Sequence, residues 1–262
     1  MKNKIGVMYI CTGNYSIFWK QFFLSCEKYF LPNQEIQYFV FTDSKKIYGD
    51  NFPHVNKIYQ EKLQFPRDTL LRFDMFLRAK EALKKMDYLF FFNANLLFLQ
   101  TIFDEEVFPS SQQNGLIGYL HFAMYDKNPN EFIYERNPIS TAYIKPGDGQ
   151  HYYQGCVIGG KSKEFLEMAN VLDAQIKEDL VNDFIAVWWD ESHLNHYLLN
   201  KEVKILHPGY CFPELGFDDL PFEKKAISRN KSVRGGVEFL RGRDRSFFSK
   251  LKFFIKRLYI KI

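Results

Sequence analysis

From Tyr88 to Phe92 the chain reads Tyr-Leu-Phe-Phe-Phe, with no polar position on either face. Successive side chains of a strand point to opposite sides, so this strand needs an apolar layer on both. Neighbouring segments can supply them. Residues 5–11 and 36–42 read as further buried strands, and residues 17–30 and 68–86 as helices with apolar faces. This alternation predicts an α/β fold: a Rossmann-like, mostly parallel central sheet flanked by helices, in a single domain. After residue 110 the pattern loosens. Residues 115–121 and 152–158 read as strands, the second ended by Gly159-Gly160. Ser162 opens a helix to about residue 180, Asp190 caps one ending near Asn200, and residues 203–206 form a short strand.

The 262 residues are enough for a sizeable core. No apolar run reaches the roughly 20 residues of a membrane helix, and the N-terminus carries no small-residue cleavage site, which argues against a signal peptide. The four cysteines, Cys11, Cys26, Cys156 and Cys211, are scattered without C-x-x-C spacing. That argues against zinc and for a reduced, cytoplasmic setting. The net charge of +4 hides an asymmetry. Residues 241–262 hold eight Lys or Arg against Asp244 alone, +7, which leaves −3 for residues 1–240. A mildly acidic body gives no support to nucleic-acid binding.

In open α/β sheets, ligands sit beyond the carboxyl ends of the strands. This points to Cys11–Tyr15, Thr42-Asp43 and Asn93-Ala94-Asn95, which all follow predicted strands. Three sets of residues carry candidate chemistry. Asn93-Ala94-Asn95 follows the strand at 88–92. Many nucleotide-sugar transferases place two aspartates there to hold a divalent metal on the diphosphate. Here both are amides, which offer hydrogen bonds without negative charge, so no metal is expected. Trp188-Trp189-Asp190-Glu191 opens a predicted helix. Adjacent helical residues lie about 100° apart, so the two acids face different points. The helix dipole would favour the ionised form of a carboxylate there, suiting a nucleophile or an oxocarbenium stabiliser better than a general acid. Arg229, Lys231 and Arg234 precede Gly235-Gly236 and form a basic segment suited to closing on a diphosphate.

In order along the chain, Tyr38-Phe39-Val40-Phe41-Thr42-Asp43, Asp87 to Asn95, Phe132-Ile133-Tyr134-Glu135-Arg136, Ala142-Tyr143-Ile144, Tyr152 to Gly160 and Trp188 to Asn195 resemble the family 6 glycosyltransferases. That family includes the ABO histo-blood-group transferases, the mammalian α1,3-galactosyltransferase and smaller bacterial relatives. The Asn-x-Asn form resembles the bacterial branch, whose members work without metal.

The resemblance implies a GT-A fold. It implies retaining transfer of galactose or N-acetylgalactosamine, from the uridine diphosphate (UDP) sugar, in α1,3 linkage to a galactoside that can be fucosylated. By position, Ile10, Cys11, Thr12 and Tyr15 flank the uridine. Arg72, Asn93, Asn95, Asp190, Arg229 and Lys231 meet the donor. His121, Gln154, Trp188 and Glu191 line the acceptor, with Glu191 catalytic. Gln154-Gly155-Cys156 reads the donor type.

The pattern departs from the family at three places. Trp189 stands where His is common, and His121-Phe122-Ala123-Met124-Tyr125 replaces a His-Pro-Gly-Phe-Tyr pattern. Cys156 stands where Gly or Ala is usual, and its bulk leans the reading toward galactose. Glu191 either forms a covalent intermediate or steadies a cationic sugar. Another UDP-hexose donor, or a sugar-binding protein without catalysis, are the competing readings.

The remaining segment, 241–262, is a basic tail. Between residues 247 and 262 apolar and basic residues divide between two sides of a helix, which predicts docking on an anionic membrane surface. The protein would then sit at the inner face of the cell membrane, serving an oligosaccharide or glycolipid acceptor.

Overall fold

The structure, a computed structural model, describes residues 2–242. The predicted tail helix lies outside the described residues. Ten strands form two sheets. The large one contains β1 (Lys4–Ile10), β2 (Glu35–Thr42), β3 (Val55–Tyr59), β4 (Tyr88–Phe92), β6 (Leu116–Leu120), β7 (Tyr153–Lys161) and β8 (Lys204–Leu206). The small one contains β5 (Leu96–Phe98), β9 (Phe212–Pro213) and β10 (Ala226–Ser228). The large sheet runs β3-β2-β1-β4-β7-β6-β8, parallel except where β7 pairs with β4 and with β6. This is the expected α/β architecture, a mostly parallel central sheet flanked by helices.

The helices are α1 (Trp19–Tyr29), α2 (Arg67–Leu70), α3 (Arg72–Arg78), α4 (Lys80–Leu83), α5 (Asp104–Val107), α6 (Ser162–Val181), α7 (Asp190–Leu198) and α8 (Gly236–Leu240). Alternate residues of the central strands feed two cores. Val7, Tyr9, Phe90 and Phe92 pack with Trp19 and Phe22 of α1. Met8, Leu89 and Phe91 pack with Phe73 and Phe76 of α3 and Phe165 of α6. Tyr88–Phe92 is thus covered on both sides, as its composition requires.

Several local expectations are corrected. The helix expected over 68–86 is three short ones, because Leu71 and Ala79 leave helical geometry, with φ/ψ of −96°/21° and −97°/9°. Residues 13–18 form a 3-10 turn before α1. β7 runs through Gly159-Gly160 to Lys161. The glycines are needed for close approach, not for termination: a Cβ at Gly159 would lie 2.5 Å from the Phe90 ring. Asp190 is the first residue of α7, with Trp189 in the capping position.

Two pairings place the site. β7 runs antiparallel to β4, so its beginning meets the end of β4. Phe92 pairs with Val157, and Asn93 N–H donates to Cys156 O at 2.9 Å. Gln154-Gly155-Cys156 therefore lies beside Asn93-Ala94-Asn95. In the small sheet Ser228 pairs with Leu96, which brings residues 229–231 alongside Asn95. Among the described residues no helix is long and apolar enough to cross a membrane.

Candidate active site

The cleft at these strand ends is lined by Ile10, Thr12 and Tyr15 after β1, Asn93, Ala94 and Asn95 after β4, and Gln154, Gly155 and Cys156 at the start of β7. Arg72, Trp188, Asp190, Glu191 and Lys231 line it as well. Phe65, Asp68 and Arg241 also line it. Sequence reading had placed Arg241 in the tail and had given Phe65 no role. Arg241 gets there because Phe239 and Leu240 pack on Phe18, and Asn14 Nδ2 donates to Phe239 O at 2.7 Å. Its guanidinium then lies 3.8 Å from the centre of the Phe65 ring.

Glu191 is held by β7. Asn195, one turn further along α7, binds both backbone groups of Tyr153: Oδ1 accepts from Tyr153 N–H at 2.8 Å and Nδ2 donates to Tyr153 O at 2.7 Å. The same Nδ2 donates to Glu191 O at 2.9 Å. Asn195 thus pairs α7 with the strand as a neighbouring strand would. With the helix fixed, Glu191 Oε2 accepts from Gly155 N–H at 2.8 Å and Oε1 from Tyr152 O–H at 3.0 Å. Trp189, just before, has φ 54° and ψ −127°, a positive-φ conformation that a side chain disfavours. Phe65 packs edge-on against its ring at 4.5 Å.

Asp190 faces elsewhere. Its carboxylate is 1% exposed, and Oδ2 lies 2.9 Å from Arg72 Nε. Arg72 also donates to Gly155 O and sits over the Phe91 ring, joining α3, β7 and α7. With Oδ2 engaged by Arg72, Oδ1 has no hydrogen-bond donor among the described residues. A buried carboxylate with unfilled acceptor sites beside the cleft suits a ligand bearing hydroxyls.

Burial raises both acids, and this corrects the expectation from the helix dipole. Asp190 is pushed up to about 6, with the Arg72 cation opposing the shift. Glu191 is pushed up to about 7 by burial, opposed by the Gly155 N–H. Desolvation thus outweighs the dipole at this helix start. If reaction needs ionised Glu191, kcat/KM should fall about tenfold per pH unit below about 7 and level off above it. A flat profile between about pH 5 and 8 would show that this carboxylate does not act as the anion.

Three predicted site residues are not among those lining the cleft, and a fourth lines it with its donor group engaged. Cys11 is buried in the core, its thiol raised to about 12 by burial, while its carbonyl accepts from Thr42 O–H at 2.8 Å. His121 lies behind Tyr152, at 5.7 Å between rings, and burial lowers it to about 4. Arg229 is 2% exposed and turns inward to Gln21 and Phe18 O, stacking on the Phe18 ring. Asn95 donates its amide N–H groups to Ser228 Oγ at 2.9 Å and Arg229 O at 2.8 Å, which locks the small sheet in place.

Arg234 is likewise engaged, making a two-pronged ion pair with Glu214. Of the predicted basic set, Lys231 alone lines this cleft. No carboxylate pairs with it among the described residues, and burial and then the nearby Arg241 charge lower its pKa. Lys231 and Arg241, the latter 3.9 Å from Glu238, therefore line the same cleft as Asn93.

A family model described as Glycosyltransferase family 6 matches residues 1–225. The O-antigen biosynthesis glycosyltransferase WbnI of Escherichia coli is 36% identical over 210 residues, covering 80% of this chain and 88% of that protein. Histo-blood group ABO system transferase 1 of Rattus norvegicus is 30% identical over 222 residues, and globoside alpha-1,3-N-acetylgalactosaminyltransferase 1 of Homo sapiens 29% over 218. Each of these two alignments covers 80% of this chain but only 61% of the animal protein.

Proposed function

The chain belongs to glycosyltransferase family 6, and from that premise we propose that it moves galactose or N-acetylgalactosamine from UDP to a galactoside acceptor, in α1,3 linkage, with retention and without a metal ion. Family membership carries the coarse activity: a nucleotide-sugar donor and a glycan acceptor. The finer reading rests on one observation. Lys231, Arg241 and Asn93 line the same cleft as the buried acids Asp190 and Glu191.

Breaking the bond between the sugar and UDP leaves negative charge on the diphosphate and positive charge on the sugar. Fixed cations stabilise the first and a fixed carboxylate the second, most strongly where water is excluded. Lys231 and Arg241 serve the diphosphate, with the Asn93 amide as a neutral donor. Glu191, oriented by Gly155 N–H and Tyr152 O–H, faces the anomeric carbon. Asp190, with Oδ2 on Arg72 and Oδ1 unfilled, accepts from a hydroxyl of the donor sugar. Ile10, Thr12 and Tyr15 border the uridine end, and Trp188 and Gln154 the acceptor end. Cys156, whose thiol donates to Gln154 Oε1 at 3.4 Å, narrows the space beside the sugar and favours galactose.

The metal-free reading follows from donor chemistry: the strand-end pair offers amides where a dication needs carboxylates. Transfer is expected to proceed unchanged in excess EDTA and to gain less than about twofold from Mn²⁺, an effect below the usual few-kcal/mol worth of a catalytic metal. Activity abolished by chelation and restored by Mn²⁺ would refute it. A donor panel with UDP-galactose and UDP-N-acetylgalactosamine, run against galactosides with and without fucose, tests the rest.

A further inference from the structure

The mouth of the cleft at Trp188 continues into an apolar surface. Val181 is 83% exposed and Ile139 65%, and Ile185, Val187 and Trp188 are exposed as well. The end of α6, the segment that follows it and the loop bearing Ile139 carry these side chains, and buried acids tie them together. Glu135 Oε2 accepts from Val187 N–H at 2.7 Å. Asp179, near the end of α6, accepts from Ser140 O–H at 2.6 Å and Thr141 N–H at 2.8 Å. The rim is therefore held in place on both sides, and its last member, Trp188, lines the reaction cleft.

We propose that this rim receives the apolar aglycone of the acceptor: the hydrocarbon portion attached to the galactoside, leading away from the sugar that Trp188 contacts. The proposal rests on the transfer reading above. Continuity with the cleft favours this occupant, because a chain leaving the acceptor sugar at Trp188 meets Val187 next. Charge disfavours an anionic membrane surface here. Between 181 and 188 the sole charged residue is Asp183, and on the Ile139 loop Arg136 is engaged by the carbonyls of Ile144 and Lys145, which leaves Lys145 there to meet a lipid phosphate. Large apolar side chains exposed beside a binding cleft are otherwise costly to solubility.

The test compares methyl and octyl β-galactoside, the latter below its micelle concentration, in the native protein and in the double variant Ile139→Ser/Val181→Ser. Both positions are exposed and lie outside the reaction cleft, so transfer to methyl galactoside should be unchanged in the variant. The native KM for octyl galactoside is expected to be about tenfold below that for the methyl compound. That ratio should fall to about one in the variant. Equal KM values in the native protein, or a ratio that survives both substitutions, would overturn the rim while leaving the transfer reading intact. Donor hydrolysis without transfer to either galactoside would end both.

Discussion

Glu191→Gln is expected to lower turnover about 10³-fold while UDP binding stays within about threefold of native. The substitution keeps size and one acceptor oxygen, so Tyr152 O–H or Gly155 N–H can still find a partner. It removes the negative charge that faces the developing cationic sugar. The loss should therefore fall on kcat, for donor hydrolysis as well as for transfer, because hydrolysis passes through the same cleavage. A side chain that merely braces α7 against β7 would behave differently. Its replacement would lower the urea midpoint and leave the residual rate largely intact. Measuring kcat, UDP affinity and the unfolding midpoint on one preparation separates the two, and near-native turnover would remove Glu191 from the mechanism.

Lys231→Ala is the second large effect, about 10²-fold in kcat/KM for the donor, with weaker UDP binding. Its ammonium lines the cleft 5.5 Å from the centre of the Tyr15 ring, and no ion pair joins it to a carboxylate among the described residues. Removing it leaves Arg241 as the remaining cation for the diphosphate. Arg229→Ala should act through stability instead, because its guanidinium is enclosed by Gln21 and Phe18. The informative contrast is between the two variants. Lys231→Ala should keep the native unfolding midpoint and lose donor affinity, and Arg229→Ala should lose the midpoint. The reverse pattern would transfer the donor-binding role to Arg229.

That contrast also marks how far the sequence could be read. Strands β1, β2 and β4 were legible because continuous apolar runs leave a chain few ways to hide them. β3 was not, since Val-Asn-Lys-Ile-Tyr on a sheet edge lacks a fully apolar run. The breaks at Leu71 and Ala79 leave the apolar spacing of 68–86 intact, so periodicity reports one helix where the backbone makes three. Spacing likewise cannot tell Arg229 from Lys231, as only the pairing of β10 with β5 decides which side chain faces the cleft. Arg241 was hidden by its neighbourhood, since a basic stretch masks the one member that folds back. For Asp190 and Glu191, position suggested the helix dipole, but the depth of burial that overrides it comes from Arg72, β7 and Asn195, which lie far away in sequence.

Side-chain cations, rather than a bound dication, are expected to hold the diphosphate. Crystals grown with UDP and Mn²⁺, with data collected at the manganese absorption edge, test it directly. Diphosphate oxygens are expected within hydrogen-bonding distance of Lys231 Nζ, with no anomalous peak beside residues 93–95. A manganese peak bridging the diphosphate and Asn93 or Asn95 would contradict it.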